Sequence, residues 1–241
     1  MSKLLRTFFK VLKWLFISFL ISTIGAILCY RWIPVAITPL MIIRSIENFK
    51  DGKAIEIRHQ WVDIDEMSQY MPMAVIASED QNFLKHHGFD FNAIKQAVAE
   101  NKSRKRVRGA STISQQTAKN LFLWPASSWT RKAFETYFTV LIEIFWPKER
   151  IMEVYLNSIE MGPNIYGVEA VAQRNFGCSA LDLRRSDCAL IAATLPNPIR
   201  FSSFAPSRYM RRRQKEIMRQ MKFLSGDSYK LPYMKKNHVN K

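Results

Sequence analysis

The pattern of apolar and polar positions first changes character near residue 11. Val11 and Leu12 lead into "WLFISFLISTIGAILCY", Trp14 to Tyr30, which holds no charged residue. With Lys13 reaching its ammonium to the boundary, the run attains the ~20 apolar residues that cross a bilayer. Residues 11–31 therefore read as a transmembrane anchor. Lys3, Arg6, Lys10 and Lys13 come before the run while only Arg31 and Arg44 follow closely, so residues 1–10 are expected in the cytoplasm. A cleaved signal peptide is the competing reading, but no A-x-A site follows the run. Bulky Leu28 before Cys29 argues against lipoprotein processing. The next stretch, "WIPVAITPLMII", is apolar but broken by Pro34 and Pro39, which makes it a poor second span. It suits the outer membrane interface. Residues 32–70 read as a juxtamembrane and entry segment, irregular over 45–70, with 71–224 as the main domain and 225–241 as a loose tail.

Within the domain the apolar period is helical almost throughout. It predicts helices near 72–79, 90–101, 112–123, 130–146, 148–158, 166–175, 180–194 and 208–224. Only 8 glycines occur in the whole chain, alternating runs are few and no repeat is visible, so the fold class is mainly α. In the last helix Met210, Ile217, Met218, Met221 and Leu224 form an apolar stripe. That stripe suits packing on the core with the arginines in solvent, and contact with anionic lipid is the secondary reading.

Charge then narrows the partners. Lys and Arg number 36 against 20 Asp and Glu, a net +16, which favours nucleic acid, an anionic membrane surface or a phosphorylated substrate. An anchor that places the bulk of the chain outside the cytoplasm argues against nucleic acid, and no nucleic-acid-binding module is recognisable. Five of the seven residues from Lys102 to Arg108 are cationic. They read as a solvated loop able to steer an anion. Cys178 and Cys188 would face an oxidising compartment, where a disulfide or two buried thiols both fit. Their spacing suggests no metal site.

Three clusters carry candidate chemistry. In "VIASEDQNFLKHHGFD", Pro72 can open a helix that Glu79 closes. A carboxylate at the negative end of a helix dipole is disfavoured when charged, which raises its pKa and suits a proton acceptor. The bland alternative is a solvated loop acid. In "RGASTISQQTAKNLFLW", Thr112 and Gln115 have capping-box spacing, and a helix N-terminus beside Arg108 is a ready anion site. Gln115 and Lys119 are expected on one polar face, and paired glutamines suit sugar or phosphate. An ordinary capped helix is the alternative. In "RKAFETYFTVLIEIFWPKERIMEVYLN", Glu135 falls near Arg131 and Lys132, which would hold it in its charged form. Glu143 is the competing, structural acid.

Taken in order, these stretches closely resemble the family 51 glycosyltransferases, the peptidoglycan-polymerising enzymes. "EDQNFLKHHGFD" is similar to the family's first motif, "GASTISQQTAKN" to its second and "RKAFE" to its third. "IMEVYLNSIEMGPNIYGVEAVAQRNFG" resembles the fourth and "LIAATLPNP" the fifth, so the likeness spans about Val75 to Pro198. With one anchor and no room for a transpeptidase domain, the chain looks like a monofunctional member. Asn164 stands where the family often has glycine, and Asp187 where it often has glutamate. Both departures bear on fine substrate contacts.

The resemblance implies a lysozyme-like helical glycosyltransferase domain with a cleft and a small membrane-facing lobe. It implies lipid II as acceptor and a growing lipid-linked glycan chain as donor. The GlcNAc 4-hydroxyl attacks C1 of the donor MurNAc, and undecaprenyl diphosphate leaves with inversion. Glu79 matches the general base, and Glu135 the acid that helps hold the leaving diphosphate. Lys119, Arg131 and Lys132 supply fixed positive charge. Arg108, Ser111, Thr112, Gln115 and Gln116 are candidate sugar and phosphate contacts. Asn157, Tyr166 and Glu169 either shape the cleft or serve the interior. Asp80 and Asp90 are expected as a local hydrogen-bonding acid and a helix N-cap, and His86 and His87 as loop hydrogen-bond partners. No cofactor is expected to be essential. A divalent cation, Mg2+ or Mn2+, could bridge the diphosphate, although no ligand set is visible. Other cell-wall synthesis and division proteins are candidate partners, and the setting is the bacterial inner membrane with the domain periplasmic. The rivals are a lytic enzyme on the same fold and a non-catalytic membrane-anchored scaffold.

Overall fold

The computed structural model describes residues 3–102 and 109–224. The basic segment through Arg108 and the expected tail at 225–241 lie largely or wholly outside the described residues. The chain opens with α1, Lys3–Tyr30, an unbroken helix of 28 residues. At 1.5 Å per residue it is about 42 Å long, more than the ~30 Å hydrocarbon core. It starts earlier than residue 11 because Leu4, Leu5, Phe8 and Phe9 continue its apolar surface between the first cations. Among the described residues it is the one helix long and apolar enough to cross a membrane.

The lead-in does not stay irregular. Pro39–Lys50 forms α2, with the Thr38 hydroxyl accepting the Met41 N–H at 3.3 Å and Pro39 in the first turn. Pro39 starts this helix instead of breaking one, since the first turn has no N–H bond for proline to lose. A two-residue strand β1, Arg58–His59, follows. It joins β2, Glu160–Gly162, and β3, Ile165–Tyr166, in a sheet of order β1-β3-β2. β1 runs parallel to β3 with Arg58 opposite Ile165, and β2 runs antiparallel to it. Strands this short carry no readable period, so the sequence pattern does not announce them.

The remaining helices match the expected places closely. They are α3 Tyr70–Glu79, α4 Phe91–Asn101, α5 Ile113–Phe122, α6 Trp129–Phe145, α7 Lys148–Ser158, α8 Val168–Phe176, α9 Arg185–Ala192 and α10 Arg208–Leu224. α9 begins later than residue 180. The Asp187 carboxylate accepts the Arg184 backbone N–H at 3.1 Å and fixes the start there. The substitution of Asp for Glu thus bears on a helix cap. Asn164 has φ of 57°, the left-handed conformation that explains a glycine preference and that asparagine tolerates.

α5 lies against α6 and α7, while α3, α9 and α10 pack together. Ile113, Ile142, Met152, Tyr155 and Phe83 are fully buried where the helices meet, and Phe122 stacks on Phe138 at 4.5 Å. Burying each such side chain contributes about 1.5–3 kcal/mol. Met210, Ile217 and Met221 of α10 are buried and Met218 and Leu224 partly so, as their stripe predicts. Gly167 has φ of 82°, and a Cβ there would lie 2.5 Å from the Asn157 carbonyl, so no other residue fits this turn into α8. Cys29, Cys178 and Cys188 are all free thiols, and burial pushes Cys188 up to about 12.

α1 is fastened to the domain and does not hang from it. Thr23 Oγ1 lies 2.8 Å from the Tyr137 hydroxyl, and Phe19 meets Phe134 and Tyr137 at 6.0 and 5.6 Å. Ile27 is fully buried, and its carbonyl accepts Trp146 Nε1 at 2.8 Å. Arg31 donates to the Phe145 carbonyl at 2.6 Å, and Arg150 to those of Tyr30 and Ile33 at 2.9 and 2.7 Å. The Tyr30 and Phe145 carbonyls end α1 and α6, where helix carbonyls lack intrahelical partners.

Candidate active site

Glu79 is the last residue of α3 and half-buried. One carboxylate oxygen accepts the Ser78 hydroxyl at 2.9 Å, the other Gln116 Nε2 at 3.2 Å. Gln116 is aimed by the buried Tyr155, whose hydroxyl donates to its amide oxygen at 3.0 Å. Burial pushes the Glu79 carboxyl above the ordinary glutamate value; the Gln116 and Ser78 hydrogen bonds and the Arg213 guanidinium pull the other way. The expected direction holds, but burial among neighbouring helices is its main cause. Arg213, on α10, also donates to the Ser78 carbonyl at 3.4 Å.

Asp80, next in the chain, turns inward. It accepts the Ile113 backbone N–H at 3.0 Å and His86 Nε2 at 2.9 Å, joining the start of α5 to the loop after α3. Asp90 caps α4 through the Ala93 N–H at 2.8 Å and accepts Asn82 Nδ2 at 2.7 Å.

The expected polar face of α5 divides in two. Thr112 and Gln115 form the capping box and are buried, and the Thr112 hydroxyl donates to the Gly88 carbonyl at 2.6 Å. Their oxygens are spent inside the fold, which corrects the expectation that they contact substrate. Ser111 is exposed just ahead of the helix, and Arg108 lies outside the described residues. Gln116, Lys119 and Asn120 instead line a cleft of about 420 Å³, together with Arg44, Trp124, Arg131, Glu160 and Pro196. Gln115 and Lys119 share no open face: Gln115 is buried in the capping box, whereas Lys119 lines the cleft.

Glu135 of α6 is 4% exposed and held by Arg131 Nη1 at 2.7 Å and by the Lys132 ammonium. Lys119 feels both acids. Packed protein around it lowers its pKa, Glu135 opposes this, Arg131 and Lys132 add to it, and Glu79 opposes more weakly. Glu79 thus stands at the edge of the cleft, one hydrogen bond from Gln116, with the lysine and arginine cluster beyond. Glu143 pairs with Lys148 at 2.7 Å and with the Ser114 hydroxyl, a structural use.

Asn157 is another correction. It is 0% exposed, donates to the Val62 carbonyl at 2.9 Å and accepts the Val62 N–H at 3.0 Å. It pins the lead-in and does not reach the cleft. Glu169 likewise accepts the Ala180 N–H at 2.7 Å from within the interior. Ser78, Tyr155, Arg213, Asn120, Arg44 and Glu160 went unmarked in the sequence. Most of them reach the site from distant elements, and local spacing gives no sign of that.

A half-buried carboxyl of raised pKa, one hydrogen bond from a cleft lined by Lys119 and Arg131, suits an enzyme that displaces an anionic leaving group. Comparison with known proteins agrees. The transglycosylase family profile matches residues 46–222. A biosynthetic peptidoglycan transglycosylase of Bacteroides thetaiotaomicron is 56% identical over 235 residues, 96% of this chain and 93% of that protein. Its namesakes in Bdellovibrio bacteriovorus and Ectopseudomonas mendocina are 50% and 47% identical, covering 86% and 95% of this chain and 84% and 93% of their own lengths. The chain belongs to the transglycosylase family, the peptidoglycan glycosyltransferases, and is an enzyme of that class.

Proposed function

We propose that the chain polymerises lipid II, with a lipid-linked glycan as donor and lipid II as acceptor. The observation that carries this reading is a raised-pKa carboxyl, Glu79, hydrogen-bonded to Gln116 of a cleft that Lys119 and Arg131 also line, with Lys132 paired to Glu135 beside it. Ionised Glu79 takes the proton of the acceptor 4-hydroxyl as its oxygen attacks C1 of the donor sugar. The bond from C1 to the diphosphate oxygen breaks, C1 inverts, and the electron pair leaves on undecaprenyl diphosphate. A positioned base is worth roughly 10²–10⁴ in rate. Lys119 and Arg131 meet the charge that develops on the leaving group, and Glu135 holds Arg131 and Lys132 in place. A lytic enzyme expelling a neutral sugar has no use for such a cradle.

Among the described residues no group of three or more His, Cys, Asp or Glu side chains converges. Glu135 is already paired with two cations, which supports a reading in which Lys119 and Arg131 meet the charge of the diphosphate.

The setting follows from the anchor. α1 crosses the inner membrane once with its N-terminus in the cytoplasm and the domain in the periplasm. Trp129, 91% exposed, and Val140 and Ile144 of α6 lie on the helix that holds α1. They dip into the outer leaflet, and the lipid tails approach along them. Other synthesis or division proteins would meet the enzyme in the same membrane. The test is labelled lipid II with the full chain in detergent, resolved on a polymer gel. Polymer from wild type and none from Glu79→Gln is the expected result. Equal polymer from both would remove Glu79 as base, and cleavage of preformed glycan would favour the lytic rival.

A further inference from the structure

Among the buried polar atoms of the cleft that lack a hydrogen-bond partner, three belong to Glu160, Asn120 and Arg131, and the first two residues have no part in the proton and leaving-group chemistry. Glu160 on β2 is 6% exposed, and its Oε1 has no hydrogen-bond partner among the described residues. Asn120 on α5 is 5% exposed with its Nδ2 unpaired, and Arg131 Nε is likewise unpaired. All three residues line the same cleft. A buried acceptor or donor without a partner costs about 1–3 kcal/mol, so a ligand that completes it gains a corresponding preference.

The three needs describe one chemical pattern. Glu160 Oε1 calls for an N–H or O–H donor, Asn120 Nδ2 for a carbonyl oxygen and Arg131 Nε for an anionic oxygen. A secondary amide supplies the first two together. On an amino sugar the 2-acetamido group sits on the carbon next to C1, which bears the diphosphate. A residue that reads it must therefore lie beside the diphosphate cradle, as Glu160 and Asn120 do. We propose that Glu160 and Asn120 recognise the 2-acetamido group of the donor sugar, Glu160 accepting its N–H and Asn120 donating to its carbonyl oxygen. Arg44 seats Glu160: its Nε lies 3.8 Å from Glu160 Oε2, and its Nη1 is held by Glu47 at 2.9 Å. α2 thus forms one wall of the subsite. Asn48 of α2 donates to Asn164 Oδ1 at 2.8 Å and ties that wall to the turn between β2 and β3. Burial raises the Glu160 carboxyl above its ordinary value, while Arg44 and a backbone hydrogen bond from Asn164 oppose this.

This assignment rests on the polymerase reading for the identity of the donor, and its test separates the two. Equilibrium binding is measured on the full chain in detergent carrying Glu79→Gln, so that no turnover intervenes. The probes are a lipid-linked disaccharide with the natural 2-acetamido group on the diphosphate-bearing ring and one with a 2-hydroxyl there. The parent is expected to prefer the natural probe by about 10–100-fold. Adding Glu160→Ala or Asn120→Ala should shrink that preference about tenfold each while leaving affinity for the 2-hydroxyl probe unchanged. Glu160→Gln, which keeps an acceptor oxygen, should retain most of the preference. An unchanged ratio in Glu160→Ala overturns the proposal. So does an equal loss for both probes, which would make Glu160 a support for α2. Failure of the natural probe to bind the parent overturns it too. If the unmutated chain binds the natural probe but makes no polymer, the polymerase reading fails by itself, and the ratio still decides on Glu160.

Discussion

The two acids of the site lie on separate helices, α3 and α6, and live in opposite surroundings. Glu79 ends α3 with only neutral donors in direct contact, Ser78 and Gln116. Glu135 sits one turn from Arg131 and Lys132 on its own helix and touches both. The first is an acid whose charge the fold disfavours, so it gains from taking a proton. The second is held between two cations and serves to order them. One residue type performs two tasks because burial acts on one and ion pairing on the other.

The largest test of this contrast is stability. Because burial raises the Glu79 pKa, the folded chain holds that proton more tightly than the unfolded one. The charge therefore costs stability once pH rises above the ordinary glutamate value and through the raised one. Glu79→Gln should be inactive and yet melt about 2 °C higher than wild type near pH 7.5, a gain that disappears below the ordinary glutamate value. Glu135→Gln should move the other way, losing about 1–2 kcal/mol and roughly 4 °C because Arg131 and Lys132 lose their partner. Differential scanning fluorimetry of both in detergent reads the sign directly. Two shifts of the same sign would erase the distinction.

A finer test is the pH profile of polymerisation. Its acid limb should lie above the ordinary glutamate value, since Glu79 must be ionised to act. Its alkaline limb should lie below the ordinary lysine value, since Lys119 gives up its proton early. Lys119→Met should cut the rate about 10²-fold and abolish the alkaline limb while leaving the acid limb in place. An alkaline limb that persisted would belong to another group.

The smallest effects come from the adjacent glutamines. Gln116→Ala removes a hydrogen bond to the Glu79 anion and should shift the acid limb to higher pH. Gln115→Ala removes half of a capping box and should cost about 0.5–1 kcal/mol in stability with the limb unmoved. Kinetics and melting of this pair would show which side of α5 faces the chemistry.

Much of this molecule was legible in the chain itself. The anchor, the helical class and most helix boundaries follow from local rules: uncharged length, the 3.6-residue period, capping residues and proline position. Glu79 stood out by its place at a helix end, and the i, i+4 spacing put Glu135 beside Arg131. Tertiary packing alone decided which polar residues face the cleft. Gln115 and Thr112 carry the right chemistry but point inward, and Asn157 is consumed by Val62, since side-chain direction depends on which face its helix buries. Arg44 of α2 meets Glu160 of β2 across more than a hundred residues of sequence, and Arg213 of α10 reaches Ser78 of α3 from 135 residues away. No local period records such a meeting, because it is set by how helices stack and not by the hydrogen bonds within them.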